Sequence, residues 1–128
     1  MEVKADLSFN FDNNIPIYIQ LVSQIKIGII SGKFKSGERL PSVRDLAFQM
    51  KVNPNTMQKA LVELEEMGLI FTERTNGKFV TSDQSLIDKY KKEYADELCE
   101  TYFSAISEIG FDKSDAINYL KNYKGEKS

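Results

Sequence analysis

The sequence predicts a mainly α-helical fold with a small β-hairpin, and three observations support this prediction. Two short amphipathic segments follow each other within Leu40–Gly68, separated by only a few residues. An Asn-Gly pair then lies between two strand-like runs, which is typical of a hairpin. From Asp83 onwards, apolar side chains recur at every fourth position, as in a long helix. We therefore expect a winged helix-turn-helix followed by a helical tail.

The composition narrows the class of protein. With 128 residues, 41% of them hydrophobic and 28% charged, the chain has an ordinary globular composition. A single cysteine, Cys99, fits a reducing compartment, so we expect a cytoplasmic protein. With no histidine and one cysteine, neither a zinc site nor the commonest general base is expected. No apolar run approaches the roughly 18 residues of a membrane span. The sequence thus predicts no enzyme, no metal or other cofactor, and no membrane partner.

Charge is distributed unevenly along the chain. Residues 16–81 carry nine Lys or Arg and six Asp or Glu, a net charge of +3. Residues 82–128 carry seven Lys and ten Asp or Glu, a net charge of −3. A basic part joined to an acidic part favours two tasks in one chain, although chance also explains so small an excess. We place the boundary between a first domain, residues 1–81, and a tail, residues 82–128.

The first helix is predicted from a proline, a glycine and the apolar stripe between them. Pro16 suits the first turn, and Gly32 suits the end of the helix. The stripe has seven apolar side chains: Ile17, Leu21, Ile25 and Ile29, with Tyr18, Val22 and Ile30 beside them. Before this helix, residues 7–11 alternate as a half-buried strand does. After it, residues 33–41 indicate a loop.

Two further helices are predicted around a tight turn at Lys51-Val52. Ser42 is a good N-cap for the second helix, with Asp45 placed to complete a capping box, and Asn53 caps the third helix. Pro54 occupies the first helical position, where proline is best tolerated. The inward faces carry nine apolar residues: Val43, Leu46, Ala47, Met50, Met57, Ala60, Leu61, Leu64 and Met67.

A hairpin and a long helix complete the predicted elements. Leu69–Thr75 and Lys78–Thr81 are strand-like, and Asn76-Gly77 suits a turn in which both residues take positive φ. A long helix is expected over residues 83–110. A last short helix, with an Asp or Ser cap, contains the apolar residues Ala116, Ile117 and Leu120.

The third helix carries polar side chains where this architecture places its DNA contacts. The second helix of a helix-turn-helix lies in the major groove, and its N-terminal residues meet base edges. Asn and Gln pair bidentately with adenine, and the Thr methyl contacts thymine. The candidates are Asn53, Asn55, Thr56, Gln58 and Lys59. The alternative is that Asn53 is only a cap and that the others are solvated polar residues. This alternative is preferred for Asn53 taken alone, whereas the cluster in this two-helix context favours base contact.

Residues outside the third helix are further candidates for DNA contact. Arg44, expected to be exposed on the second helix, suits guanine or, nearly as well, a phosphate. Arg39 and Ser42 suit phosphates beside the N–H groups of that helix's first turn. The wing tip suits the DNA backbone or minor groove through three residues, Asn76, Gly77 and Lys78. A plain hairpin turn also explains the Asn-Gly pair.

The apolar stripe of the tail predicts a homodimer. Its six positions, each four residues apart, are Leu86, Tyr90, Tyr94, Leu98, Tyr102 and Ile106. Such a stripe could line a ligand pocket, but more often it is a core or an interface. A short tail cannot bury a wide apolar face alone, so a second copy is the natural cover, in an isologous dimer.

These residues resemble the GntR family of bacterial transcription regulators. The resemblance covers Ile15 to about Thr81 and rests on Pro16-Ile17-Tyr18, Gln20, Ile30, Gly32, Gly37, Leu40-Pro41-Ser42, Arg44, Leu46-Ala47, Val52-Asn53, Thr56, Ala60, Leu64, Gly68, Gly77 and Phe79-Val80. It implies a dimeric winged helix that reads palindromic operators. Its DNA contacts would fall on Arg44, Asn55, Thr56, Gln58 and Gly77.

Two positions depart from the family pattern. Pro54 stands where the family often has arginine, which removes one base or phosphate contact. Thr75 stands where the wing often has glycine. The V-N-P-N-T form resembles the YtrA-like subfamily, in which a short helical tail replaces a large effector-binding domain. The resemblance implies a dimerising tail and leaves open whether a small-molecule effector binds.

We therefore expect a sequence-specific DNA-binding transcriptional regulator, a repressor that binds a palindromic operator as a dimer. Recognition helix 53–67 and wing 70–81 would make the contacts. The first alternative is a winged-helix adaptor that binds proteins without reading DNA. The exposed groups expected near Arg44 and Gln58 speak against it. The second alternative is a small enzyme, for which no catalytic constellation can be named.

Overall fold

The computed structural model describes residues 10–125. Its elements, in chain order, are α1 (Ile17–Ile30), α2 (Val43–Met50), α3 (Pro54–Glu66), β1 (Ile70–Glu73), β2 (Gly77–Val80), α4 (Gln84–Ser107) and α5 (Lys113–Asn122). β1 and β2 form an antiparallel hairpin. The predicted fold class, a winged helix followed by a helical region, is confirmed. No helix in this range is both long and apolar enough to cross a bilayer.

The core of the winged helix lies between α1, α2, α3 and the hairpin. The largest side chains that are fully buried there are Leu21, Ile25, Ile29, Leu46, Met57, Leu61, Leu64, Leu69, Ile70 and Val80. Most of the inward faces predicted for the three helices are thereby confirmed. Ile17 is an exception, because it begins α1 and is 45% exposed. Val43 and Met67 are half-buried.

Gln20 is buried in place of an apolar residue, for a reason found in its hydrogen bonds. Its Nε2 donates to the carbonyl oxygens of Asp12 and Ile15, both at 2.7 Å. Its Oε1 accepts from the N–H of Asp12 at 2.8 Å. Because every polar atom of the amide is paired, its burial is tolerated. Gln20 therefore ties the segment before α1 to that helix.

The segment before α2, predicted as a loop, pairs with the hairpin. The N–H of Leu40 donates to Lys78 O at 2.8 Å, and that of Val80 donates to Glu38 O at 2.9 Å. Arg39 and Phe79 form an antiparallel bridge. Residues 38–40 therefore extend the hairpin as a short third segment hydrogen-bonded to β2. The strand predicted over residues 7–11 lies mostly outside the described part, and its last two residues, which are described, are not in a strand.

The hairpin turn differs from the prediction. Glu73 pairs with Gly77, so three residues connect the strands instead of an Asn-Gly pair. Gly77 has φ +101°, whereas Lys51 is the one non-glycine residue with positive φ between residues 10 and 125. Of the Asn-Gly pair, only Gly77 takes the positive φ that both residues tolerate. Gly77 follows the three connecting residues and begins β2, and glycine takes its positive φ without steric cost.

The residues form two compact units, divided between Lys91 and Lys92. The first turns of α4 belong to the winged-helix unit because they pack on it. Ile87 is buried, and the Tyr90 hydroxyl donates to Met67 O at 3.3 Å. The domain boundary at residue 81 stays a prediction. In the second unit, Asp112 caps α5 with a complete capping box.

Candidate nucleic-acid interface

The turn between α2 and α3 is built by backbone geometry and two side-chain caps. Lys51 takes the left-handed conformation at φ 60°, and the N–H of Val52 donates to Ala47 O at 2.9 Å. Ser42 Oγ accepts from the N–H of Asp45 at 3.1 Å, and Asn53 Oδ1 accepts from the N–H of Asn55 at 2.7 Å. These bonds confirm both predicted N-caps and fix where α3 begins.

The first turns of α3 expose most of the predicted base-contacting residues. Asn53, Asn55, Gln58 and Lys59 are exposed and Thr56 is half-buried, opposite the buried Met57, Ala60 and Leu61. The side chains of Asn55 and Gln58 make no hydrogen bond with any described residue. Each therefore keeps both an amide donor and a carbonyl acceptor for an outside partner. Asn53, by contrast, uses its side-chain oxygen as the cap.

Arg44 is exposed on the first turn of α2. It makes no ion pair with any of the residues that the structure describes. One turn further along α2, Phe48 is 83% exposed, and we did not predict this residue as part of the surface. The helical period itself would have revealed it, because Phe48 lies between the inward Leu46 and Met50. Arg44 thus presents its guanidinium without an internal partner.

Lys59 is held by a partner on α1. Its Nζ lies 4.3 Å from the centroid of the Tyr18 ring, within the range of a cation–π interaction. The Tyr18 hydroxyl donates to the carboxylate of Glu63. This hydrogen bond, together with desolvation and the nearby negative charge, raises the pKa of Tyr18 above its ordinary value. Tyr18, predicted only as part of the apolar stripe of α1, therefore also orients a lysine of α3.

The structure brings Arg39 and Gly77 together at the wing. A Cβ on Gly77 would lie 3.2 Å from Nε of Arg39 and 3.4 Å from its Nη2. Arg39 is exposed and forms no ion pair within the described residues. The residues at the base of the wing and at its turn are therefore neighbours, which their separation in sequence did not indicate.

Lys78 differs from the other predicted DNA contacts because its charge is already paired. Its Nζ lies 2.7 Å from Glu65 Oε2 and 2.9 Å from Thr72 Oγ1. The Thr72 hydroxyl also donates to the Glu65 carboxylate. Partial burial opposes ionisation of Glu65, but the bonds from Lys78 and Thr72 prevail and lower the pKa of that carboxyl. Asn76, the remaining wing candidate, is exposed and donates to Glu73 Oε1 at 3.1 Å.

The six residues predicted for dimerisation lie in different surroundings. Leu86 and Tyr90 belong to the winged-helix unit, where a Cβ on Gly68 would lie 3.1 Å from Leu86 Cδ2. In the second unit, the Tyr102 hydroxyl donates to Ala116 O at 2.8 Å, and Tyr94 and Ile106 are half-buried. Leu98 is 54% exposed.

Further exposed apolar side chains in the second unit were not predicted. They are Ile109, Ile117, Tyr119, Leu120 and Tyr123, each more than 40% exposed. An open groove of about 350 Å³ also lies along Phe103, Ile106, Ser107, Phe111, Asp112 and Lys113. Within α5, only Ala116 is buried. The spacing of the apolar residues of this helix in the sequence could have indicated part of the exposed surface.

Comparison with known proteins shows which family has this architecture. The pattern described as "Bacterial regulatory proteins, gntR family" matches residues 17–80. The HTH-type transcriptional regulator YhcF of Bacillus subtilis (strain 168) is 33% identical over 113 residues, 88% of this chain and 93% of YhcF. The HTH-type transcriptional repressor YtrA of the same organism is 42% identical over 71 residues, 56% of this chain and 55% of YtrA.

Solved structures give the same assignment. A GntR family transcriptional regulator from Listeria monocytogenes has a TM-score of 0.82 at 38% identity, covering 89% of this chain and all of that chain. The AraR DBD in complex with operator ORX1 has a TM-score of 0.52 at 26% identity, covering 58% of this chain and 94% of that chain. Because the family pattern spans half of the sequence and YhcF aligns along most of it, this chain belongs to the GntR family of bacterial regulatory proteins.

Proposed function

We propose that this protein is a cytoplasmic transcriptional repressor that binds a palindromic DNA operator as a homodimer. One observation carries the proposal: the first turns of α3 expose two amide side chains, those of Asn55 and Gln58, which make no hydrogen bond with the other residues of the described range 10–125. The operator complex of AraR and the repressor YtrA support it by similarity. A protein-binding adaptor would not need polar side chains kept unpaired at the start of this helix.

Base readout follows from the chemistry of these side chains. In the major groove, Asn55 and Gln58 can each pair with N6 and N7 of adenine, and the Thr56 methyl can touch thymine. Arg44, which has no ion pair with any described residue, can donate to O6 and N7 of guanine. Readout therefore combines adenine-directed amides on α3 with one guanine-directed arginine on α2.

Other residues of the surface suit the DNA backbone. Ser42 caps α2 through the N–H of Asp45, which leaves the N–H groups of Val43 and Arg44 for phosphate oxygens. The start of α3 offers less, because Pro54 has no N–H and the N–H of Asn55 is bound by Asn53. Lys59 of α3, whose ammonium lies over the Tyr18 ring, can meet a phosphate next to the groove. We assign these residues to positioning the helices on DNA, not to reading sequence.

The second unit supports the homodimer. Its exposed apolar residues include Leu98, Ile109 and Leu120, at 54%, 72% and 51% exposure. Several large apolar side chains exposed on one small unit are costly in water and are typical of an interface. A second copy would cover it with the same residues, as the two-fold axis of an isologous dimer requires.

Selection of bound sites from a pool of random DNA duplexes tests the proposal. The expected result is two half-sites related by a dyad, with centres about 10 base pairs apart or a multiple of that spacing. Binding to the selected duplex should survive at salt concentrations that abolish binding to a scrambled duplex. If no sequence is enriched and all binding disappears together as salt rises, the adaptor is the better description.

A further inference from the structure

We propose that Arg39 makes the phosphate contact of the wing, while Lys78 positions the wing against α3 and touches no phosphate. The inference rests on the proposed DNA binding and refines it. It assigns different tasks to two cations that the sequence alone presents as equivalent candidates.

Lys78 is poorly placed to meet DNA. Its ammonium has three donors, and two of them are used by Glu65 at 2.7 Å and Thr72 at 2.9 Å. Only 17% of its side chain is exposed, against 28% for that of Glu65. A phosphate approaching this ammonium would also approach the carboxylate that neutralises it. The pair therefore presents little net charge to a polyanion.

The same bonds give Lys78 a structural task. Glu65 belongs to the last turn of α3, Thr72 to β1 and Lys78 to β2. One cluster therefore joins the recognition helix to both strands of the wing. Charge-assisted hydrogen bonds have stricter geometry than apolar packing, so the cluster sets the orientation of the hairpin relative to α3.

Arg39 has the properties that Lys78 lacks. Its side chain is exposed and has no ion pair within residues 10–125, and its backbone is bridged to Phe79 on β2. The guanidinium lies along Gly77, where a Cβ would come within 3.2 Å of Nε. A guanidinium in this position can donate two parallel hydrogen bonds to one phosphate. Because Gly77 has no side chain, the guanidinium has room beside it.

The salt dependence of DNA binding separates the two roles. Each phosphate neutralised adds roughly 0.9 to the slope of log K against log [salt], so losing one contact should lower the slope by about that amount. The probe is a duplex of about 30 base pairs selected by the unmodified chain from a random pool. Three single variants of this chain are compared: Arg39→Gln, Lys78→Gln and Glu65→Gln. A fourth, the exchange variant, carries Lys78→Glu together with Glu65→Lys, so that the two charges swap places. Lys121→Gln, which removes an exposed cation of α5, is the control.

Arg39→Gln should lower the slope by roughly 1.8, because a homodimer loses one phosphate contact from each protomer, and Lys121→Gln should leave it unchanged. Lys78→Gln and Glu65→Gln should each weaken binding by roughly three- to tenfold with an unchanged slope, and the exchange should recover most of that loss. The exchange also decides the matter if Lys78→Gln folds poorly.

Three results would each overturn the inference without affecting the proposed function. They are a slope that falls for Lys78→Gln, a slope that is unchanged for Arg39→Gln, and an exchange variant that binds no better than Lys78→Gln. If the unmodified chain selects no duplex at all, the proposed function fails first and the inference fails with it.

Discussion

The ring of Phe34 occupies the space that a side chain on Gly28 would need. A Cβ on Gly28 would lie 2.7 Å from Phe34 Cδ2 and 2.8 Å from its Cε2. Phe34 is only 6% exposed, and its N–H donates to Gly28 O at 2.9 Å. The ring therefore has little room to move away. Gly28 is kept in α1, where glycine is unfavourable, so that the chain leaving the helix can fold back against it.

Gly28→Ala should destabilise the protein by about 1–3 kcal/mol, although alanine is the better helix former. The cause is overpacking against Phe34, which exceeds the gain in helix propensity. Urea denaturation of the unmodified and variant chains measures the difference. In a chain that also carries Phe34→Ala, Gly28→Ala should instead raise the free energy of unfolding, because the methyl group then fills part of the vacated space. A stabilised Gly28→Ala single variant would show that the ring moves aside freely.

Arg44→Ala should weaken binding to the selected site by about 1–3 kcal/mol and relax the preference at one base pair. The reason is the loss of a bidentate contact to guanine from a side chain that has no ion pair in the described part of the chain. Binding titrations against the selected duplex and all single-base variants at one position measure both effects. Arg44→Lys is the matched control, because it keeps the charge and loses the bidentate fork. An equal loss on random DNA would assign Arg44 to a phosphate.

Leu98→Asp should yield monomers and weaken operator binding strongly. The carboxylate would be buried and unpaired in an apolar interface, which strongly disfavours association. Light scattering gives the oligomeric state, and Tyr94→Asp should behave in the same way. Ser104→Asp, an exposed position on the same helix, adds the same charge and should leave the dimer intact. A dimeric Leu98→Asp chain would place the interface elsewhere.

The Glu65–Lys78 pair should make stability depend on pH in the acidic range. The pKa of Glu65 is lowered in the folded state, so its contribution is fully present above the ordinary glutamate value of about 4.3. It is lost as the pH falls through the lower folded value. The difference in unfolding free energy between the unmodified chain and Glu65→Gln should therefore be constant near neutrality and disappear in acid.

Solvent exposure limits the size of this effect to about 1 kcal/mol. Glu66→Gln, which changes the exposed neighbouring carboxyl, should not reproduce the effect. Chemical denaturation at a series of pH values provides the measurement. A Glu65→Gln difference that stays the same into strong acid would mean that the ion pair does not contribute.

Much of the fold could be predicted because the signals are local. The apolar period of α3, its Asn53 cap and its Pro54 start act within a few residues, and the structure shows all three. The prediction of the hairpin turn was wrong because it used the local signal alone. Asn-Gly favours a two-residue connection, but the pairing of Glu73 with Gly77 makes it three residues long. Cross-strand register decided between these turns, and it depends on both strands together.

The sequence by itself determined the order of the elements, the inward faces of α1, α2 and α3, and the family. These depend on periodicity, capping residues and turn residues, whose energies arise between neighbours along the chain. Only the tertiary structure decided which charges remain available. Lys78 meets Glu65 across 13 residues of sequence, and the guanidinium of Arg39 lies along Gly77 on another element. Ion pairing depends on distance in space, so cations that look equivalent in sequence become different in the folded protein.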